Sequence, residues 1–212
     1  MLVPTVTYIQ YGNNEGFGSG DGRADHLPSL VEYLQVQQSQ VVHTTAKSSR
    51  YWIPPKPQKL KINVDGAFLP SKNIGGIGGV IRRDNGAFVA GFSHSLQFVS
   101  SPKQVESLAI RSGVDLLRQL RLQEVCIESD CQVAIQEVGA DDFELSENAN
   151  ILADIRNSSK HVKDLSFMFT PRTANMVAHR LAAFAYESNA NQANCLLLVH
   201  CANQRQLPIL DE

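Results

Sequence analysis

The sequence predicts an α/β domain in which three strands precede an alternation of helices and strands. Residues 60–68 alternate apolar and polar side chains, as a half-buried strand does. Residues 74–82 and 87–95 are two further strand candidates, joined by Asp84-Asn85-Gly86, and an Asn-Gly pair is typical of a tight hairpin turn. Beyond this hairpin, apolar residues recur at helical spacing. The predicted order of elements is β-β-β-α-β-α-α-β-α.

The long helix is predicted to begin at Ser101-Pro102, because serine is a favoured N-cap residue and proline fits the first turn. Val105, Leu108 and Leu116 belong to its apolar side. The remaining predicted elements are a strand at 124–128, helices at 131–138 and 149–159, a strand at 162–170 and a final amphipathic helix at 175–186. The glycine-rich run at 75–79 enters a strand and lacks a following Lys-Ser/Thr, so a phosphate-binding loop is not predicted.

Composition limits the classes of function. With 212 residues, the chain is long enough for one domain with a sizeable core. Its net charge of -2 is unlike that of most nucleic-acid-binding modules, which are basic, so such a role has to depend on a local site. The four cysteines contain no CxxC pair, which favours a reducing compartment. Because no signal peptide or membrane span is evident, we expect an intracellular protein, cytoplasmic or nuclear, without a membrane partner. We also expect a monomer.

Three regions differ in composition. Residues 1–50 include a glycine-rich polar stretch at 13–22, and we expect them to form a mostly disordered extension. Residues 51–188 are predicted to be the folded domain, entered through a proline-stiffened segment that Trp52 pins to the domain. Residues 189–212 form a tail that is rich in Asn and Gln, for which an extra strand and disorder both remain open.

Three acidic residues lie where their carboxylates can converge. Asp65 and Asp130 close strand-like runs, and Glu106 lies in the first turns of the long helix, on its packed side. Each has an ordinary explanation when taken alone, such as a turn, a helix cap or a solvated side chain. If the first and fourth strands are parallel neighbours, Asp65 and Asp130 lie side by side. Close carboxylates repel one another, and a cation such as Mg²⁺ removes that penalty.

The chain resembles the ribonuclease H type-1 domain over about residues 51 to 187, and most closely the plant reverse-transcriptase-like, retroelement-derived subgroup. The matching segments are Trp-Ile-Pro-Pro (52–55), Lys-Ile-Asn-Val-Asp-Gly-Ala (61–67), Gly-Gly-Val-Ile-Arg-Arg-Asp-Asn-Gly (78–86), Glu-Ser-Leu-Ala (106–109), Ile-Glu-Ser-Asp (127–130) and Arg-Thr-Ala-Asn-Met-Val-Ala-His-Arg-Leu-Ala (172–182). The resemblance implies a ribonuclease H-like fold, with a five-stranded mixed sheet, three strands antiparallel, flanked by helices. It also implies a hydrolase that cleaves the RNA strand of RNA–DNA hybrids and leaves 5′-phosphate ends.

The resemblance assigns the site residues. Asp65, Glu106 and Asp130 match the metal-binding acids, which would hold two Mg²⁺ ions, with Mn²⁺ as a substitute. The fourth acid of active members is replaced by His179, a catalytic position at which imidazole suits Mg²⁺ poorly. Gly66 is expected to let the RNA backbone approach the site.

Two departures support a second hypothesis, a catalytically weak or inactive module that binds nucleic acid or acts as a scaffold. One is His179 itself; a separate departure, the absence from 169–174 of the histidine that bacterial members carry before the last helix, predicts weaker proton shuttling. The other is an acidic stretch where some bacterial relatives have a basic protrusion; it contains Asp141, Asp142, Glu144 and Glu147. Acidic residues there predict weak, salt-sensitive binding of hybrids. The protein partners are not indicated by the sequence.

Overall fold

The computed structural model describes residues 51–140 and 146–187, together with the backbone of two strands at 5–10 and 195–200. The strands are β1 (Thr5–Gln10), β2 (Leu60–Leu69), β3 (Ile74–Arg83), β4 (Phe88–Gln97), β5 (Val125–Ser129), β6 (Ser166–Phe169) and β7 (Cys195–His200). The helices are α1 (Pro102–Gln119), α2 (Gln132–Gly139), α3 (Ala149–Ser159) and α4 (Met176–Glu187), with short 3-10 turns at Pro70–Lys72 and Arg172–Ala174.

All seven strands belong to one mixed sheet in the order β1-β7-β4-β3-β2-β5-β6. β2, β3 and β4 are antiparallel neighbours, whereas β5 is parallel to β2 and β6 is parallel to β5. The five strands from β2 to β6 therefore confirm the predicted mixed sheet and the predicted order of elements. The parallel pairing of β2 with β5 places the ends of these strands at the same edge of the sheet.

Local sequence explains the turn between β3 and β4 and the start of α1. Gly86 has φ 81 in the turn between β3 and β4, a conformation that glycine adopts without steric cost. Ser101 caps α1, since its side chain accepts a hydrogen bond from the Gln104 backbone N–H, and Pro102 occupies the first turn. Both predictions from the sequence are confirmed. The cap fixes the start of α1 and, with it, the position of Glu106 on the helix.

The two faces of the sheet are covered differently. Ile62 and Val64 on β2 are fully buried beneath α1, the helix that fills the core on that face. On the opposite face α4 lies directly against β3. A Cβ at Gly78 would come within 2.5 Å of the Ala182 backbone nitrogen, so only glycine allows this contact. The glycine-rich run thus serves helix packing, as its position within a strand indicates.

α4 covers only part of its face of the sheet, and a buried polar network covers the end that the helix does not reach. The Trp52 indole N–H donates to Asn63 Oδ1 at 2.8 Å, and its ring stacks at 3.9 Å on the Arg82 guanidinium. Lys61 Nζ lies 2.6 Å from Glu128 Oε1, and Asn63 Nδ2 donates to Glu128 Oε2 at 3.0 Å. The prediction that Trp52 pins the entering segment to the domain is confirmed.

Two stretches differ from the sequence prediction. The strand expected at 162–170 is limited to Ser166–Phe169, because Val162 and Asp164 lie in a turn and Asp164 has φ 52. Thr5–Gln10 forms a strand within the extension expected to be mostly disordered, and it pairs with β7 from the tail, which itself pairs with β4. The domain boundaries remain predictions. Every helix in the described part of the chain is too short or too polar to cross a lipid bilayer.

Candidate metal centre

The three predicted carboxylates converge. Asp65 lies midway along β2, so the prediction that it closes the strand is wrong, because β2 continues to Leu69 in its pairing with β3. Asp130 directly follows β5, as predicted, and Glu106 lies on the second turn of α1. Each offers one oxygen, and these oxygens all lie within 4.8 Å of one another. Parallel pairing of β2 with β5 aligns the two aspartates, and the capped start of α1 brings the glutamate over them.

Burial makes this cluster electrostatically costly without a cation. Asp65 is 1% exposed, and burial raises its pKa to about 10, with further increases from a hydrogen bond to Asp130 and from the charges of Glu106 and Asp130. Burial and the Asp130 charge raise the pKa of Glu106 to about 8, against smaller lowering effects of the Gly66 backbone, Arg172 and Ser129. A cluster with such pKa values holds protons at neutral pH unless another positive charge replaces them.

The donor set fits a divalent cation. Asp65 Oδ1 and Glu106 Oε2 are buried and have no hydrogen-bond partner among the described residues. Buried carboxylate oxygens without partners are rare, since each carries a desolvation penalty. Oxygen ligands from carboxylates are what Mg²⁺ and Mn²⁺ prefer. Asp65, Glu106 and Asp130 are therefore the side chains that could hold such an ion.

Two residues not predicted from the sequence orient Asp130. The Asn175 amide donates to Asp130 Oδ1 and to the Val64 carbonyl oxygen, each at 2.9 Å, and thus joins β2 to the end of β5. Arg172 NH1 lies 3.9 Å from Asp130 Oδ2, a long ion pair on a largely exposed guanidinium. The asparagine fixes the carboxylate in place, and the arginine lowers the pKa of both Asp65 and Glu106.

His179 contacts the cluster from α4 but is outside it. Its Nδ1 lies 2.9 Å from Asp65 Oδ2, and Arg172 NH2 lies 2.9 Å from its Nε2. Burial and the Arg172 charge lower the pKa of His179, which favours the neutral ring. A neutral ring that donates from Nδ1 to Asp65 accepts from Arg172 at Nε2. In this arrangement both ring nitrogens are engaged, and His179 holds Asp65 in position.

Gly66 is explained by helix packing. A Cβ at this position would lie 2.8 Å from the Glu106 backbone nitrogen, so the glycine allows α1 to approach β2 and brings Glu106 to Asp65. A contact between Gly66 and substrate remains a prediction. Of the acidic stretch, residues 141–145 lie outside the described residues, so the expected repulsion of a phosphate backbone is not tested.

Comparisons with known proteins agree with this geometry. The sequence profile of the family described as reverse transcriptase-like matches residues 63–185, more than half of the chain. No curated protein sequence matches the chain.

Solved structures share the fold at low sequence identity. RNase H1 from the halophilic archaeon Halobacterium salinarum NRC-1 is similar with a TM-score of 0.56 and 20% identity, covering 61% of this chain and 98% of the archaeal one. The N-terminal RNase H domain of a Mycobacterium tuberculosis protein has a TM-score of 0.55 and 19% identity, over 61% and 94% of the two chains. LC11-RNase H1, isolated from compost and crystallised with an RNA/DNA hybrid, has a TM-score of 0.55 and 20% identity, over 61% and 97%.

At these identities the structural likeness establishes the architecture, and the family match rests on the sequence itself. The three acids of the cluster and the strands β3 to β6 fall within the matched region, whereas β1 and β7 lie outside it. The chain belongs to the reverse transcriptase-like family, and its domain has the ribonuclease H-like fold.

Proposed function

We propose that this protein is a metal-dependent endonuclease that cleaves the RNA strand of RNA–DNA hybrids. The observation that carries the proposal is the cluster of Asp65, Glu106 and Asp130, whose oxygens lie within 4.8 Å and whose buried members hold protons at neutral pH. Its fold is that of RNase H1 proteins, one of which was crystallised with such a hybrid. The substrate class is taken from that likeness together with the acidic cluster.

The chain's own residues prepare the site for charged chemistry. Asp65, Glu106 and Asp130 would hold two Mg²⁺ ions, or Mn²⁺, and cations bound there would supply Lewis acidity to the attacking water and the leaving oxygen. Asn175 keeps Asp130 in one orientation, and His179 does the same for Asp65. The exposed Arg172 guanidinium next to Asp130 is placed to meet a phosphate of the substrate. Gly66 is half-buried beside Asp65, and we propose that its backbone contacts the RNA backbone.

A catalytically weak binding module is the second candidate. It is favoured by His179, whose Nδ1 lies 2.9 Å from Asp65 Oδ2 and whose ring contacts Arg172, because an imidazole at this position provides no fourth carboxylate. Histidine brings no negative charge to balance a second cation. Under this alternative the fold binds hybrids and turns them over slowly.

Cleavage of an end-labelled RNA–DNA hybrid by the full chain with Mg²⁺ or Mn²⁺ tests the first proposal. We expect RNA-strand products that carry 5′-phosphates, and no cleavage by Asp65→Asn. Asp154→Asn is the matched control, because Asp154 is 59% exposed and pairs only with Arg111 among the described residues. Activity that survives Asp65→Asn would refute the assignment of the site. A rise in activity in His179→Asp would show that the fourth position limits turnover, as the second candidate requires.

A further inference from the structure

A groove runs along the sheet beside the acidic cluster. It has a volume of about 510 Å³, a size at which pockets take nucleotide-sized ligands. Strands β5 and β6 form its floor, the entering segment at 51–56 forms one wall, and residues 170–174 close one end. Asp65, Glu106 and Asp130 do not line this groove, whereas Lys61 and Glu128 of the network around Trp52 do.

The groove lies on the same face of the sheet as the acids. Glu128 pairs with Asn63 on one side and with Met168 on the other, so these three side chains share a face. Asp65 and Asp130 lie two residues further along the same strands and therefore on that face. Thr170, Pro171 and Ala174 line the end of the groove, and Arg172 between them contacts Asp130. A chain that leaves the acidic cluster at this end enters the groove directly.

The lining combines exposed apolar side chains with lysines. Tyr51 is 71% exposed and Met168 is 53% exposed, and Ile53 also lines the groove and reaches solvent. Lys56 and Lys59 lie on its wall, facing one exposed acid, Asp164, whereas Lys61 at the floor is neutralised by Glu128. Aromatic faces bind nucleobases by stacking, and lysines bind phosphates.

The combination of exposed apolar side chains and lysines favours single-stranded over double-stranded nucleic acid. A duplex presents phosphates on its outside and keeps the faces of its bases stacked inside, so an apolar groove offers it little. An unpaired strand exposes its base faces, which suit the Tyr51 ring and the Met168 thioether, while its backbone can reach Lys56 and Lys59. We infer that this groove binds a single-stranded extension of the hybrid, so the protein prefers hybrids with an unpaired flank over blunt ones. This inference rests on the proposed function for its substrate.

The test is binding of the full chain to three fluorescent probes in Ca²⁺, measured by anisotropy: a blunt hybrid, the same hybrid with a single-stranded RNA extension, and one with a DNA extension. We expect one of the extensions to tighten binding by about ten-fold, the order expected for stacking of one base on an aromatic ring. The double variant Tyr51→Ala/Met168→Ala should lose this gain and keep blunt-hybrid binding. Phe98→Ala is the matched control, because Phe98 is a 94% exposed aromatic that does not line the groove.

The outcomes separate this inference from the proposed function. Cleavage of the blunt hybrid with no effect of either extension overturns the groove inference alone. A tightening that persists in Tyr51→Ala/Met168→Ala also overturns it. Extension-dependent binding without any cleavage supports the groove and refutes the catalytic proposal. Circular dichroism of the double variant shows whether it is folded, and the Lys56→Gln/Lys59→Gln variant, expected to weaken only the extended probe, gives an independent reading.

Discussion

Replacing Asp65 by asparagine should stabilise the metal-free protein at neutral pH. The side chain is 1% exposed, and its pKa is raised to about 10 from an ordinary value of 3.8. The folded protein therefore holds a proton that the unfolded chain releases. The stability associated with this group is fully present below pH 3.8 and is lost as the pH rises towards 10. Asparagine has nearly the same shape and does not titrate, so it avoids this loss.

The magnitude follows from the pKa. The interval between pH 7 and the ordinary pKa of 3.8, at 1.36 kcal/mol per pH unit, gives an upper bound of about 4 kcal/mol. The amide can still accept from His179, and its N–H groups can donate to the neighbouring carboxylates, so no new unpaired group is created. The expected gain in free energy of unfolding is thus a few kcal/mol at pH 7 and shrinks at lower pH.

The assay is urea denaturation in a metal chelator at pH 5, 7 and 8.5, comparing wild type with Asp65→Asn. Asp154→Asn serves as the control, since its exposed ion pair with Arg111 contributes at most about 1 kcal/mol. The gain should grow with pH in Asp65→Asn and stay flat in the control. A loss of stability in Asp65→Asn, or a gain that does not depend on pH, would refute the electrostatic account of the cluster.

Three further predictions test the supporting structure. Trp52→Ala should lower the free energy of unfolding by about 3–5 kcal/mol, because it removes the side chain that covers the Asn63 and Arg82 network. Tyr51→Ala, at an exposed site, should cost little. Urea denaturation followed by circular dichroism compares the two variants, and equal losses of stability would contradict the pinning role of Trp52. Gly78→Ala should destabilise the protein strongly, because its Cβ would lie 2.5 Å from the backbone of α4. Gly139→Ala, whose Cβ would have nothing within 4 Å, should be neutral or stabilising by up to about 1 kcal/mol. Thermal melts compare the two variants, and similar melting temperatures would mean that α4 does not pack closely on β3. Arg172→Gln should raise the pKa of Asp65 and Glu106 further and so move Mg²⁺ binding to higher pH. Titrations of Mg²⁺ into the protein at several pH values measure this shift. An unchanged dependence of Mg²⁺ affinity on pH would show that the guanidinium does not affect the pKa of the acids.

The sequence predicted the parts of this site that depend on strand pairing and helical phase. Asp65 and Asp130 were placed side by side on the assumption that two strands are parallel neighbours, and the pairing of β2 with β5 confirms it. Glu106 was assigned to the packed side of α1 by helical phase, and its Oε2 is buried. In each case one local pattern fixed the direction of the side chain.

The features that the sequence did not predict depend on contacts between segments that are distant in the chain. Asn175 reaches Asp130 across 45 residues and Val64 across 111, and no periodicity indicates such bonds. Lys61, Asn63 and Glu128 lie on the face that alternation usually assigns to solvent, but Trp52 covers that face. The opposite charges of Lys61 and Glu128, on strands predicted to be neighbours, were the one available signal. For Thr5–Gln10, alternation of β-branched and aromatic residues was present, but the polar stretch that follows outweighed it.

Calorimetric titration of Mg²⁺ into the full chain tests the central claim, that Asp65, Glu106 and Asp130 form a cation site. Run in two buffers of different ionisation enthalpy at pH 7, it also counts the protons that the cation displaces. The structure predicts saturable binding with proton release, because Asp65 and Glu106 hold protons when no metal is bound, and loss of that binding in Asp65→Asn but not in Asp154→Asn. Equal binding by wild type and Asp65→Asn, or binding without proton release, would contradict the account.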